Sequence, residues 1–385
     1  MTFSQNRLAK NNVLLVAGLL ALIGMGVSSA ISGNIEQSTS SRVVKNDSVA
    51  TYHTSATAVF NVSEQIVGSA SCKECHKAEY AAWTATVHSK NFARIGSPSG
   101  QKISAAYGNT EACLKCHSTP HTPTAKFESE QVGVSCESCH SAAGGPEGWF
   151  KLHSNYGGEG VKRNDETEAH RKERLAGCDT AGMIRASNVY ALAKNCYSCH
   201  VVADEKLLAA GHKPGHSDFD LIPWMQGEVR HNFQVDQTVN AISPSLLKAR
   251  DGVTTEQRKR VLLVTSRMVE LETLLRNLGS ISEENLGESY AGRRGWAGRA
   301  EDIFEYLDEE IGEAIDNEHV KAVVEAVKEI ELGRKFEDQD AAMKAADQLA
   351  KIVQEFLDSA GEADLAGLDP LIEELDKPVG KPYLP

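Results

Sequence analysis

The stretch Cys72-Lys73-Glu74-Cys75-His76 carries a pattern that recurs three more times in the chain. In each copy two cysteines stand three positions apart, and a histidine follows the second directly. The other copies are Cys113-Leu114-Lys115-Cys116-His117, Cys136-Glu137-Ser138-Cys139-His140 and Cys196-Tyr197-Ser198-Cys199-His200. C-x-x-C-H is the attachment signature of c-type haem. The two thiols can reach the vinyl groups of one porphyrin edge, and the histidine then places its imidazole beneath the iron.

A zinc ribbon or a disulfide framework is the alternative interpretation of such cysteine pairs. Neither needs a histidine directly after every pair, so the four copies predict four covalently attached c haems. The ninth cysteine, Cys178, has no C-x-x-C partner. We expect a buried free thiol at this position, with an intermolecular disulfide or a place in a haem pocket as the alternatives.

The haem-bearing segment, residues 68–235, offers only about forty residues for each haem. This is too little polypeptide to build a conventional core around every cofactor. The macrocycles themselves must therefore form the core, with short helices and loops wrapped around them. The predicted fold class is mainly α: a compact multihaem domain with little regular sheet, followed by an antiparallel α-helical bundle.

Each iron has one predicted ligand, the motif histidine, and its opposite face must be filled by another group. Three further histidines follow a motif histidine at nearly constant spacing: His88 12 residues after His76, His153 13 after His140, and His212 12 after His200. The intervening residues 77–87 and 201–211 look helical. Twelve helical residues span roughly 18 Å, too far for two imidazoles on one iron. We therefore expect each of these histidines to serve a neighbouring haem.

The second motif lacks this sequel, because Ser129 stands twelve residues after His117. His231 is the candidate that completes the set. The predicted distal ligands are His88, His153, His212 and His231, with His121 and His216 ranked lower. His170 lies among charged residues and is expected to be solvated, while His53 and His319 lie outside the haem-bearing segment.

The two ends of the chain differ from its middle. Arg7 and Lys10 precede an apolar run over residues 13–27, and small residues follow it, so residues 1–30 predict a signal peptide. An uncleaved membrane anchor is the alternative, although the run is short for a transmembrane helix. Residues 31–67 predict a flexible spacer. We expect export to the periplasm or an equivalent extracytoplasmic compartment.

Residues 236–385 predict an acidic α-helical domain, with 32 acidic and 18 basic residues. Helices are expected at about 254–279, 292–315, 318–332 and 338–357. The net charge of −13 argues against nucleic acid as a partner. The domain is expected to stabilise the haem-bearing segment; a docking module, a homo-oligomer interface or a lid is the alternative.

The haem-bearing segment resembles the multihaem family typified by cytochrome c-554, which is tetrahaem. The resemblance rests on residues 72–88 with Trp83, on Gly133-Val134-Ser135-Cys136-Glu137-Ser138-Cys139-His140 with Gly144-Gly145, and on residues 195–233 with Gly227-Glu228-Val229-Arg230-His231-Asn232. It implies a mostly helical fold, closely stacked haem pairs, electron shuttling between periplasmic redox partners, and His88 as a distal ligand of another motif's haem.

Irons with two histidine ligands exchange electrons with little rearrangement. The predicted function is periplasmic electron transfer with redox partner proteins, either other cytochromes or a membrane quinol-linked complex, and no catalytic residue is assigned. The alternative is a reductase or oxidase of a small nitrogen species, such as nitric oxide or hydroxylamine, at one five-coordinate haem. An assembly role, in which the helical domain docks onto a larger complex, is the third hypothesis.

Overall fold

The computed structural model describes residues 65–119, 133–185, 187–215, 219–229, 255–286, 290–360, 363–375 and 377–380. All of them belong to one compact unit, Thr54–Pro385. The predicted signal peptide and nearly all of the spacer lie outside the described residues. The division of the chain at residue 235 stays a prediction.

Short helices make up the first part of the described chain, and the four motifs lie on some of them or at their ends. They are α1 (Ser69–Lys73), α2 (Lys77–Thr84), α3 (Pro98–Tyr107), α4 (Glu111–His117), α5 (Cys136–His140), α6 (Trp149–His153), α7 (Glu168–Thr180), α8 (Val189–His200), α9 (Glu205–Ala209) and α10 (Leu221–Gln226). Short 3₁₀ turns lie at His88–Arg94 and Arg163–Asp165. The longer members begin with side-chain caps: the Thr167 hydroxyl accepts from the His170 N–H, and Asn188 accepts from the Ala191 N–H.

Longer helices make up the second half. They are α11 (Thr255–Gly279), α12 (Ala291–Glu305), continued by a π turn at Tyr306–Ile311 and α13 (Gly312–Ala314), then α14 (Glu318–Val327), α15 (Gln339–Ser359) and α16 (Asp369–Leu375). Short 3₁₀ turns lie at Glu283–Asn285, Gly333–Lys335 and Ala366–Leu368. Within the described residues, no helix is both long and apolar enough to cross a membrane.

The prediction of a mainly α fold is confirmed. No strand occurs in the described part of the chain, where the only bridge found is the isolated antiparallel pair Val201 and Gly215. That bridge corrects one local prediction. A helix was expected over residues 201–211, but α9 covers only Glu205–Ala209, because the Asp204 side chain caps it by accepting from the Leu207 N–H.

Two other helices end earlier than the sequence predicts. Helix α2 stops at Thr84, where the next turns tighten, and the chain enters the 3₁₀ segment at His88. Helix α14 stops at Val327 rather than near residue 332, and residues 328–332 form turns and irregular chain. Further along, Gly333 adopts a left-handed backbone with φ of 77°, which glycine takes without steric cost.

The hydrophobic core centres on α11. This helix packs against α15, α12 and the motif-bearing helix α8. Its side chains from Val261 to Leu275 are buried nearly all round, as expected of a helix enclosed on every side. The core formed in this way is continuous from Val189 of α8 to Ile372 of α16.

The first three motifs have far less apolar packing around them. The second described core cluster has only three buried members, Ala143, Trp149 and Cys178. The burial expected for the Cys178 thiol is thus found: its side chain is inaccessible to solvent, and burial raises its pKa.

Candidate haem sites

Each motif histidine stands at a helix boundary. His117, His140 and His200 are the last residues of α4, α5 and α8, and His76 directly precedes α2. In the second, third and fourth motifs, a helix end holds the cysteines and the histidine in fixed relative positions, because the turn before the histidine is helical. In the first motif, Cys75 and His76 lie in the short turn between α1 and α2.

Three of the motif histidines face three of the predicted distal histidines. The ring centroids are 5.9 Å apart for His76 and His153, and the two planes lie 22° from parallel. The centroids are 6.2 Å apart for His88 and His200. They are 6.3 Å apart for His117 and His212, with the planes 69° from parallel in both of these pairs.

These separations fit one iron between each pair. A metal–imidazole bond of about 2.0 Å on each side, with about 1.1 Å from nitrogen to ring centre, puts two trans imidazole centroids about 6.2 Å apart. Direct stacking of two rings would bring them closer, as Phe219 does on His200 at 3.8 Å. The residues present thus have the spacing that a bis-histidine haem requires.

Each pair joins the segments of two different motifs. His153, which follows the third motif, faces His76 of the first. His88 follows the first motif and faces His200 of the fourth. His212 follows the fourth motif and faces the second-motif histidine, His117. Ligation at these positions stays a prediction. The pairs indicate which motif's haem each distal histidine would serve.

The surroundings of His153 and His117 favour the neutral imidazole, which is the form that binds a metal. Burial, with the positive charge of nearby groups, lowers the pKa of His153 to about 4. Burial also lowers the pKa of His117. Ring orientation is fixed elsewhere by backbone carbonyls: His140 Nδ1 lies 2.8 Å from the Ile184 oxygen, and His212 Nδ1 lies 2.8 Å from the Lys213 oxygen. Such acceptors usually orient a metal-ligating imidazole.

Cysteines of different motifs also meet. The Cys72 and Cys136 thiols interact directly, which raises the pKa of Cys72 and lowers that of Cys136. The Cys116 and Cys199 thiols interact in the same way, which raises the pKa of Cys116 and lowers that of Cys199. A cysteine of the first motif therefore lies next to one of the third, and a cysteine of the second motif lies next to one of the fourth.

The third and fourth motifs are joined by hydrogen bonds as well. The Asn195 side-chain amide, one residue before Cys196, donates to the carbonyl oxygens of Ser138 at 2.8 Å and Cys139 at 3.1 Å. Burial raises the pKa of the Cys139 thiol to about 11, with a further contribution from Cys199. The four motifs thus form one connected series: first, third, fourth, second.

Three side chains that the sequence did not single out support this arrangement. Glu137, inside the third motif, accepts hydrogen bonds from the backbone N–H groups of Val67, Gly68 and Ala143 at 2.8–3.0 Å. Arg174 donates to the His153 carbonyl at 2.9 Å. Glu228 accepts from the His88 N–H at 3.0 Å. Only the folded chain brings these groups to the motifs, and no spacing in the sequence marks them.

The other candidate histidines, which include the predicted distal ligand His231, divide into two groups. His170 is partly exposed, and its Nδ1 lies 2.8 Å from Glu166, so it takes part in the Glu166–Arg174 cluster. His319 contacts the Ser359 hydroxyl at 3.1 Å, far along the chain from the motifs. The remaining candidates lie outside the described residues: His231, His121, His216 and His53.

Comparison with known proteins bears on the first three motifs. Residues 71–141 match the family model described as cytochrome c554 and c-prime. The matched segment is thus similar to c-type cytochromes of that family. The match supports covalently bound haem c and haem-based electron transfer, as the resemblance of the motifs implied. No curated protein and no solved structure matches the chain.

Proposed function

We propose that this c-type cytochrome carries electrons through four covalently attached haems and that most of its irons have two histidine ligands. The observation that carries the proposal is the set of three histidine pairs with centroids 5.9–6.3 Å apart. All three pairs join a motif histidine to a histidine from the segment of another motif. In each pair one member directly follows the two cysteines of a motif, which adds the means of covalent attachment.

The contacts between motifs support an order for the haems. Adjacent thiols at Cys72 and Cys136 favour a first pair formed by the first and third haems. Adjacent thiols at Cys116 and Cys199 favour a second pair formed by the second and fourth. Asn195 links the third motif to the fourth. Electrons would therefore pass along the order first, third, fourth, second.

The sparse apolar packing supports the same proposal. The buried cluster around the third motif has three members, whereas the core around α11 includes large aliphatic and aromatic side chains from Val189 to Ile372. Four macrocycles would supply the missing apolar volume of the first part of the chain. Ligation across motifs would then hold the segments together, because each iron would link two of them.

The proposed location is extracytoplasmic. Proteins with c-type haem are generally found outside the cytoplasm, and residues 1–30 have the charge and apolar pattern of a signal peptide. The proposed partners are redox proteins, either other cytochromes or a membrane quinol-linked complex. The acidic residues 236–385 would favour a partner with a basic surface, with association rates that fall as salt rises.

Haem stoichiometry tests this proposal. A pyridine haemochrome assay against protein concentration should give four haems per chain, and peptide mass spectrometry should find one haem on each C-x-x-C-H segment. The matched control is the Cys196→Ala, Cys199→Ala double variant, which should give three. Fewer than four haems on the unaltered chain would contradict the proposal.

A further inference from the structure

One buried carboxylate lies against a proposed iron ligand without belonging to any motif. Glu228 follows α10 and is only 4% exposed. Its Oε1 accepts a hydrogen bond from the His88 backbone N–H at 3.0 Å and lies 3.3 Å from His88 Nδ1. The same oxygen thus accepts from the backbone of one histidine and lies close to its ring, across 140 residues of chain.

The ring nitrogen has no alternative acceptor. His88 Nδ1 is buried and makes no hydrogen bond in the described part of the chain. A buried N–H without an acceptor costs free energy. Glu228 Oε1 lies within hydrogen-bonding distance of this nitrogen at 3.3 Å, although the present angle leaves the bond unformed. Nε2 is then left for the iron that His200 would hold on the other side.

The carboxylate is closed in by the last described segment of the chain. The Val379 N–H donates to the Pro223 carbonyl at 3.0 Å, which anchors residues 377–380 beside α10. Gly380 has φ of 83°, and a Cβ there would lie 2.8 Å from Glu228 Oε2. Gly227 is packed just as tightly, because a Cβ there would overlap the Val379 oxygen. This segment limits the access of water to the carboxylate on that side.

From these contacts we propose that Glu228 is a positioning residue for His88 and lowers the reduction potential of the haem on the fourth motif. This inference rests on the proposed function, since it assigns a role toward that haem. A carboxylate that accepts from a ligand's Nδ1–H makes the imidazole a stronger electron donor. A stronger donor stabilises the oxidised iron, and burial strengthens the effect because little water screens the charge.

The test compares Glu228→Gln with the unaltered holoprotein by spectroelectrochemical titration and by electron paramagnetic resonance of the oxidised state. Glutamine keeps the size and an acceptor for the His88 N–H but removes the charge. One of the four potentials should become more positive, and the g-values of one low-spin signal should change. Glu205→Gln is the matched control, because the Glu205 carboxylate also accepts hydrogen bonds, but from Ser282 and Asn285, which belong to no motif. It should leave that low-spin signal unchanged.

A double variant separates action through the ligand from a simple through-space charge. In a His88→Met background, Glu228→Gln should have little further effect on the fourth haem, because the imidazole that transmits the change is gone. An equal shift in both backgrounds, or no shift in the parent protein, would overturn the role of Glu228. Haem counting on the same samples keeps the two claims apart. A count below four contradicts the proposed function, four haems with an unshifted potential contradict only this inference, and loss of haem from the fourth motif alone contradicts both.

Discussion

Glu137 offers the sharpest test of how the haem-bearing segment is held together. Its two carboxylate oxygens accept from three backbone N–H groups: Val67 at 3.0 Å, Gly68 at 2.8 Å and Ala143 at 2.9 Å. The first two precede the first motif and the third follows the third motif. Hydrogen bonds to a charged acceptor contribute about 1.5–3 kcal/mol each, and a buried donor left unpaired costs about 1–3 kcal/mol.

We expect Glu137→Ala to lower the free energy of unfolding by about 3–5 kcal/mol, because water entering the space offsets part of the loss at three sites. Glu137→Gln should cost about 1–3 kcal/mol, since one oxygen can still accept from Val67 and Ala143 while the amide faces the Gly68 N–H. Guanidinium unfolding at pH 7, followed by far-ultraviolet circular dichroism and the Soret band, measures both. An alanine variant within 0.5 kcal/mol of the parent, or two variants of equal cost, would refute this reasoning.

Three further predictions concern the surroundings of the motifs. Gly380→Ala should displace the Glu228 carboxylate and shift the same potential as Glu228→Gln by a smaller amount, and the left-handed backbone at this position should also lower the melting temperature; spectroelectrochemistry and thermal unfolding check this. The hydrogen bonds from Arg174 hold the pKa of Glu166 at about 2 against an ordinary value of 4.5, so its stabilisation is complete above pH 4.5 and is lost as the pH falls toward 2. The melting temperature of Glu166→Gln should therefore lie below the parent's at pH 6, and the gap should narrow below pH 4.5 and close only near pH 2. Glu272→Ala leaves Lys194 without its acidic partner between α8 and α11, while Arg276 keeps Asp347, and should cost about 2–3 kcal/mol in a denaturant titration.

The local motifs could be predicted from the sequence because their chemistry is local. Attachment of one haem requires two cysteines and a histidine within five residues, so the whole constellation lies in one short stretch. Helix α15 could be predicted for a similar reason: the cap at Asp338 and the regular apolar spacing over Gln339–Ser359 are read along the chain. The mainly α fold follows from such stretches taken together.

The contacts between residues far apart in the sequence could not be predicted in this way. The spacing of His88, His153 and His212 indicates that each serves a neighbouring haem, but a spacing cannot say which one. That choice depends on how α6, α9 and the 3₁₀ turn at His88–Arg94 pack, which long-range contacts decide. Glu228 is a clear case, because 140 residues separate it from His88.

The helix expected over residues 201–211 shows where local pattern misleads. Its apolar residues have helical spacing, yet Val201 pairs with Gly215, and Asp204 begins the helix three residues later. The Val202 oxygen is used by the Trp296 indole N–H at 3.1 Å, a contact from α12. Packing against the second half of the chain thus overrides the local preference for helix.

The central claim is that each of three irons lies between a motif histidine and a histidine from another motif's segment. Electron paramagnetic resonance of oxidised His153→Ala, beside the parent and His170→Ala, tests it most directly. If His153 is the second ligand of one iron, its variant should keep the haem count, lose one low-spin signal and gain a high-spin signal. The His170 variant should show neither change in signal. A His153 variant with the same low-spin signals as the parent would contradict it.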